Sequence, residues 1–334
     1  MTASLLLPPG VTSKRLHQAL EACEQVAARD QSSLYVTSQF FADRARYHAF
    51  IATYAVMRVI DDFVDAIADK AGLPQSARQR LLAELDQWEA RIRAAYNGTP
   101  GPHFLDVALS ASVLTFPIPL RVWLNFLSAM RFDVEHPRFK DFNQFLAYSE
   151  GASAAPTIIY VTLLTSLLEA DGSYRVRDFD VEACGRALGV FAYVAHILRD
   201  VKADLAVGET GLLYLAESDL AAHRLTEADL RLLLARGNGD SRWHALVADL
   251  CGRARNSECE GRRHAESHYA HMPADCAFIL CLIITVYSEL LSRIEQAPDA
   301  VLRGDALLDD RDRARLAEVA AHRTGYGITS LPLL

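Results

Sequence analysis

A chain of 334 residues that is 51% hydrophobic carries enough apolar material for a sizeable core, as one large domain or two. Its formal charge of −8 and sequence pI near 5.8 leave no basic footprint, so nucleic acid is set aside as a partner. Six scattered cysteines without a C-x-x-C pair, and a start (MTASLLLPPG) with neither a basic segment nor a long apolar run, set the expectation of a reduced cytoplasm.

Apolar residues recur at three- and four-residue spacings, with few alternating β-branched runs, and predict an all-α protein. Breaks fall at 8–10, 72–74, 97–102, 116–119, 171–173, 208–211 and 237–239, none long enough for an interdomain linker. A single helical domain over 1–304 is expected, followed by a charged extension over 305–334 whose segment 305–323 reads as a solvated helix packed loosely on the body.

The first informative segment is Asp61-Asp62-Phe63-Val64-Asp65. At 100° per residue, Val56, Val59, Ile60, Phe63, Val64 and Ile67 form an apolar stripe, while Tyr54, Arg58, Asp61 and Asp65 cluster on the opposite side. A solvated helix face normally carries Lys, Glu and Gln; this one uses aromatics and short aspartates that cost helix propensity. Residues i and i+4 lie about 5–6 Å apart on one face. At that separation and an effective dielectric near 20, two carboxylates repel by roughly 3 kcal/mol. A fold that keeps such a pair therefore calls for a cation, and hard divalent ions, magnesium above all, share oxygen ligands with substrate phosphates.

The motif returns at Asp200-Val201-Lys202-Ala203-Asp204, where the helical projection stacks Gly189, Tyr193, His196, Asp200 and Asp204 in one stripe. The bland reading is a local pair between Asp200 and Arg199 or Lys202; the matching pair on the first segment weighs against it. Further on, His264 and His268 have the spacing of a zinc pair, but the H-E-x-x-H order is not met, so a solvated or locally bonded histidine cluster is expected. The thirteen-residue apolar run at 276–288 is shorter than the roughly 18 residues that span a bilayer and reads as a core helix.

Together the two acidic segments resemble the squalene/phytoene synthase family of head-to-head prenyl transferases. Tyr54 to Asp65 is close to the family's first Asp-x-x-x-Asp motif and Ile197-Leu198-Arg199-Asp200 with Asp204 to its second; Ser32 to Tyr35, Phe40-Phe41 and Val286 to Leu291 look like flanking family segments. The resemblance implies an isoprenoid-synthase-type helical bundle around a central hydrophobic cavity. It also implies magnesium held by Asp61, Asp65, Asp200 and Asp204, with diphosphate oxygens met by Arg58, Arg199, Tyr287 and Arg303. Tyr35, Tyr54 and Tyr193 would stabilise a travelling carbocation through their ring faces, and Tyr148 would help to move a proton. The implied substrate is a farnesyl or geranylgeranyl diphosphate, two molecules condensing with loss of pyrophosphate to a presqualene diphosphate, squalene or phytoene-type product. A peripheral membrane contact for product release is left open, as is the oligomeric state.

Departures from the family pattern are His196 where asparagine is usual, Tyr193 for glutamine, Ala203 for an acid, and Leu212 in place of the arginine of an Arg-x-Tyr-Leu-Pro segment. The small-residue run 150–156 replaces the usual Ala-Gly-x-Val-Gly kink, which is expected to persist around an altered cavity. These changes keep two alternatives open: a non-catalytic relative serving as an assembly or binding module, and a terpene cyclase acting on one substrate molecule.

Overall fold

The computed structural model describes residues 4–29, 32–66, 72–135, 138–206 and 213–327. Its helices are α1 (Ser13–Ala27), α2 (Ser33–Ser38), α3 (Arg44–Asp65), α4 (Gln75–Tyr96), α5 (Phe104–Thr115), α6 (Leu120–Glu135), α7 (Phe142–Ser149), α8 (Ala155–Thr165), α9 (Val181–Leu205), α10 (Glu217–Ala222), α11 (Glu227–Arg236), α12 (Ser241–His268), α13 (Ala274–Gln296), α14 (Pro298–Arg303) and α15 (Asp310–Thr324). The all-α expectation holds. Among the described residues the one sheet is a hairpin of two-residue strands, Leu167–Leu168 and Tyr174–Arg175, turning at Asp171-Gly172-Ser173.

Local chemistry sets the helix starts. Asp43 accepts from the Ala45 amide at 3.0 Å ahead of α3, and Asp180 from the Ala183 amide at 2.9 Å ahead of α9. Beyond the caps, α3 and α9 are buried along most of their length, with Val56, Ile60 and Val64 on one and Val194, Leu198 and Val201 on the other inside the core. The α13 helix is longer than its thirteen-residue apolar run suggests. It and α9 are long and apolar enough to cross a membrane by length and composition, yet both are core helices of the bundle.

Close approaches between helices are made where side chains are missing. The segment 150–154 forms a π-helical turn between α7 and α8, so the expected kink is present. A Cβ on Gly151 would stand 2.1 Å from the Asn125 carbonyl oxygen of α6, and one on Gly189 of α9 would stand 2.6 Å from Ala154 Cα. Glycine alone lets α6, the π turn and α9 press together here. At the far end of α8, Arg46 of α3 donates to the Leu163 and Ser166 carbonyls, filling acceptors that the helix terminus leaves open. Contrary to the loosely packed helix expected over 305–323, α15 buries Leu316, Ala317, Ala320 and Ala321, and Arg293 of α13 pairs with Asp312. Beyond it Tyr326 stacks on Phe278 at 4.6 Å.

Candidate active site

The last two turns of α3 carry Asp61 and Asp65, and those of α9 carry Asp200 and Asp204. Carboxylates at helix C-termini face the negative end of the macrodipole, where they cost stability. Both helices nevertheless deliver their acids to one place: all four line the mouth of a cavity of about 430 Å³. Its walls come from α6 (Met130, Asp133), α7 (Tyr148), the π turn (Ala152, Ser153), α8 (Tyr160, Val161), α9 (Leu188, Phe191, Tyr193, His196) and α13 (Leu280, Ile283, Tyr287).

The acids feel one another across the mouth. Burial first, and then the charge of Asp65, push Asp61 up to about 7 against the pull of Arg58. Burial, Asp200 and Asp65 in turn raise Asp204 to about 7. The site therefore carries negative charge that its own cations do not balance. Among the described residues no three metal-ligating side chains come together around a single point. This donor set is all oxygen and arrives in pairs, which fits an ion that takes one or two carboxylates and completes its shell with water and phosphate oxygens.

Behind the acids, Asp133 is buried and accepts the Tyr148 hydroxyl at 2.7 Å. Tyr193 stacks on Phe145 at 5.6 Å and lies 6.0 Å from Tyr148, while Tyr214 stacks on Tyr148 at 6.2 Å. Burial and then the Asp133 charge raise all three phenols well above their ordinary value, so they stay protonated and act as donors. One turn along α9 from Tyr193, the His196 Nε2 and the Tyr287 hydroxyl of α13 are 3.4 Å apart with their rings edge to face. Burial and the neighbouring Arg199 lower His196 to about 4 and leave a neutral imidazole facing the cavity.

Of the residues singled out from sequence, Asp61, Asp65, Asp200, Asp204, Tyr148, Tyr193, His196 and Tyr287 line the cavity. Others do not. Tyr35 turns its phenol to Tyr47. Tyr54 donates to Ser32 Oγ at 2.8 Å and stacks on Phe50, because its position on α3 faces α2 rather than α9. Arg58 reaches one turn along its own helix to Asp62 at 2.9 Å. Arg199 grips Asp200 through two bonds of 2.7 and 2.6 Å, the local pair that the bland reading anticipated, and it coexists with Asp200 in the cavity wall. Arg303 stands apart from the cavity: it donates to Asp305 at 2.9 Å and to the Gly237 carbonyl at 3.4 Å, tying α14 to the end of α11. Lys202 bonds the Arg303 carbonyl. Leu212 and Ile67 lie outside the described residues. His268 is buried rather than solvated, its ring packing on Phe179 at 4.4 Å and on His271 at 5.4 Å.

Asp133, Tyr160 and Tyr214 were not singled out. Asp133 had a signal: it falls three residues after Met130 and seven after Phe126, so helical periodicity puts an acid on the buried face of α6. Tyr214 had one in the resemblance, as the tyrosine of the segment matched at 212–216, but only the tertiary fold brings it to Tyr148 and Tyr193.

Known proteins bear on this arrangement. A family model described as squalene/phytoene synthase matches residues 27–316. A 15-cis-phytoene synthase of Synechococcus elongatus is 28% identical over 287 residues, 84% of this chain and 85% of the relative. A chloroplastic phytoene synthase of an Oncidium hybrid cultivar is 25% identical over 284 residues, and there the chain spans 63% of the relative's length. A dehydrosqualene synthase structure superposes with a TM-score of 0.74 at 19% identity, covering 92% of this chain and 97% of that one. A squalene synthase of Alicyclobacillus acidocaldarius gives 0.68 at 21%, covering 85% and 96%. Matched by that family model over most of its length and sharing the bundle of these structures, the chain belongs to the squalene/phytoene synthase family.

Proposed function

We propose that the protein is a magnesium-dependent prenyl transferase that condenses two prenyl diphosphates head to head and releases pyrophosphate, giving a presqualene diphosphate, squalene or phytoene-type product. The observation that carries this reading is the delivery of four aspartates, from the C-terminal turns of α3 and α9, to the mouth of one apolar cavity. Asp61 and Asp65 on one side and Asp200 and Asp204 on the other would hold magnesium, which supplies Lewis acidity and charge neutralisation at a diphosphate leaving group. The chain's own residues do the rest. Arg199 brings a permanent cation to the rim, tied to Asp200 until a diphosphate competes for it. The apolar walls keep water from a prenyl cation, and the faces of Tyr193 and Tyr214 offer it ring quadrupoles. When the condensed cation loses a proton, the C–H electron pair stays on carbon. The proton passes to Tyr148 Oη as the phenol's own proton moves to the Asp133 carboxylate 2.7 Å away.

The test is incubation with farnesyl or geranylgeranyl diphosphate, with magnesium or with chelator, following pyrophosphate and identifying the product by mass. Magnesium-dependent release with a product built from two prenyl chains is expected. Absence of release from both substrates overturns the reading, and a product built from one chain replaces it with a cyclase.

A further inference from the structure

Tyr160 of α8 lines the same cavity as the four acids. The Tyr160 ring is buried, meets Phe50 edge-on at 5.1 Å and Phe41 at 6.2 Å, and its hydroxyl lies 3.4 Å from Thr37 Oγ1 of α2. Leu34, Val161 and Leu280 line the cavity with it. Behind the ring there is no slack, since Phe41, Phe50 and Thr37 are themselves buried at 8% exposure or less. Phe50 stands eleven residues before Asp61 on the same helix, about 16 Å of axial rise. An extended isoprene unit of four carbon–carbon bonds, each about 1.5 Å, advances roughly 5 Å. Three units, roughly 15 Å, match that rise, and a fourth would exceed it.

We propose, resting on the diphosphate-ionising reading above, that Tyr160 is the specificity-determining floor of the prenyl site and selects a fifteen-carbon chain over a twenty-carbon one. The selection is steric, by the ring, and the hydroxyl serves only to anchor the ring on Thr37. Leu34, Val161 and Leu280 beside it carry no charge, so no ionic group there distinguishes one chain length from another.

The experiment is calorimetric binding of the non-ionisable farnesyl and geranylgeranyl thiolodiphosphates to the full chain, with kcat/KM for both natural substrates alongside. Wild-type protein is expected to favour the C15 ligand at least tenfold. Tyr160→Ala is expected to narrow or reverse that ratio by tenfold or more through tighter C20 binding, and Tyr160→Phe to keep the wild-type ratio. If Tyr160→Ala does not fold, Tyr160→Leu, which retains aliphatic packing, carries the same expectation. An equal ratio in wild type and the folded variant overturns the proposal, as does a wild type that favours C20, or a Tyr160→Phe shift as large as that of alanine. Binding reads the floor without turnover, so a chain that binds selectively but releases no pyrophosphate faults the proposed reaction and leaves the floor standing.

Discussion

Replacing Asp61 with asparagine in the metal-free protein isolates the cost of gathering acids at one mouth. Burial and Asp65 lift the Asp61 carboxyl from its ordinary 3.8 to about 7 in the folded chain. The native state thus binds a proton that the unfolded chain has already released over that window. Stability is unaffected by this group below about pH 4, falls as pH rises from there, and has lost its full share above pH 7. At 1.36 kcal/mol per pH unit the loss is about 4 kcal/mol, an upper bound because the cavity mouth admits water that screens the charge. Asp61→Asn keeps the shape and removes the charge. Thermal melts in chelator from pH 4 to 9 should therefore show the variant equal to wild type at pH 4 and more stable by up to about 4 kcal/mol at pH 8, several degrees in Tm. Magnesium should flatten the wild-type slope more than the variant's, which keeps only the share due to Asp204, while pyrophosphate release by the variant falls at least about a hundredfold through loss of one charged oxygen donor. Parallel pH curves for the two proteins, or a variant that is less stable at pH 8, would refute the claim that these carboxylates are held together against their own repulsion.

Three further outcomes are expected. Tyr148→Phe removes a donor from buried Asp133 and should cost about 1–3 kcal/mol in denaturant melts, with turnover reduced more than substrate affinity. Gly151→Ala places a methyl group against the Asn125 carbonyl and should destabilise by about 3 kcal/mol or more, read as a fall in Tm or in soluble yield. Arg303→Ala should leave kcat/KM within about twofold of wild type, because that side chain bonds Asp305 and the Gly237 carbonyl outside the cavity; a tenfold loss would return it to the site.

Short-range order was legible in the residues themselves. The i, i+4 acid pairs, the apolar stripes of α3 and α9 and the Gly- and Pro-rich breaks are set by helical geometry within a few turns, and they suffice for an all-α chain with two acidic helix ends. Spacing along one helix cannot say which neighbour a side chain meets. Arg58 and Tyr54 share the polar side of α3 with Asp61 and Asp65, yet they turn to Asp62 and Ser32 because one faces along the helix and the other faces α2. Arg303 sits near the second acidic helix, which Lys202 ties to its carbonyl, but its guanidinium leaves in another direction.

Residue order alone was enough for the helices, their acids and the family they resemble. Folding in three dimensions is what brings the ends of α3 and α9 to one cavity, Asp133 to Tyr148, and Tyr160 into the same lining. Those interactions join residues 15 to 139 positions apart in the chain, from Asp133 with Tyr148 to Asp65 with Asp204, and they depend on close packing at glycines such as Gly151 and Gly189 rather than on local propensity.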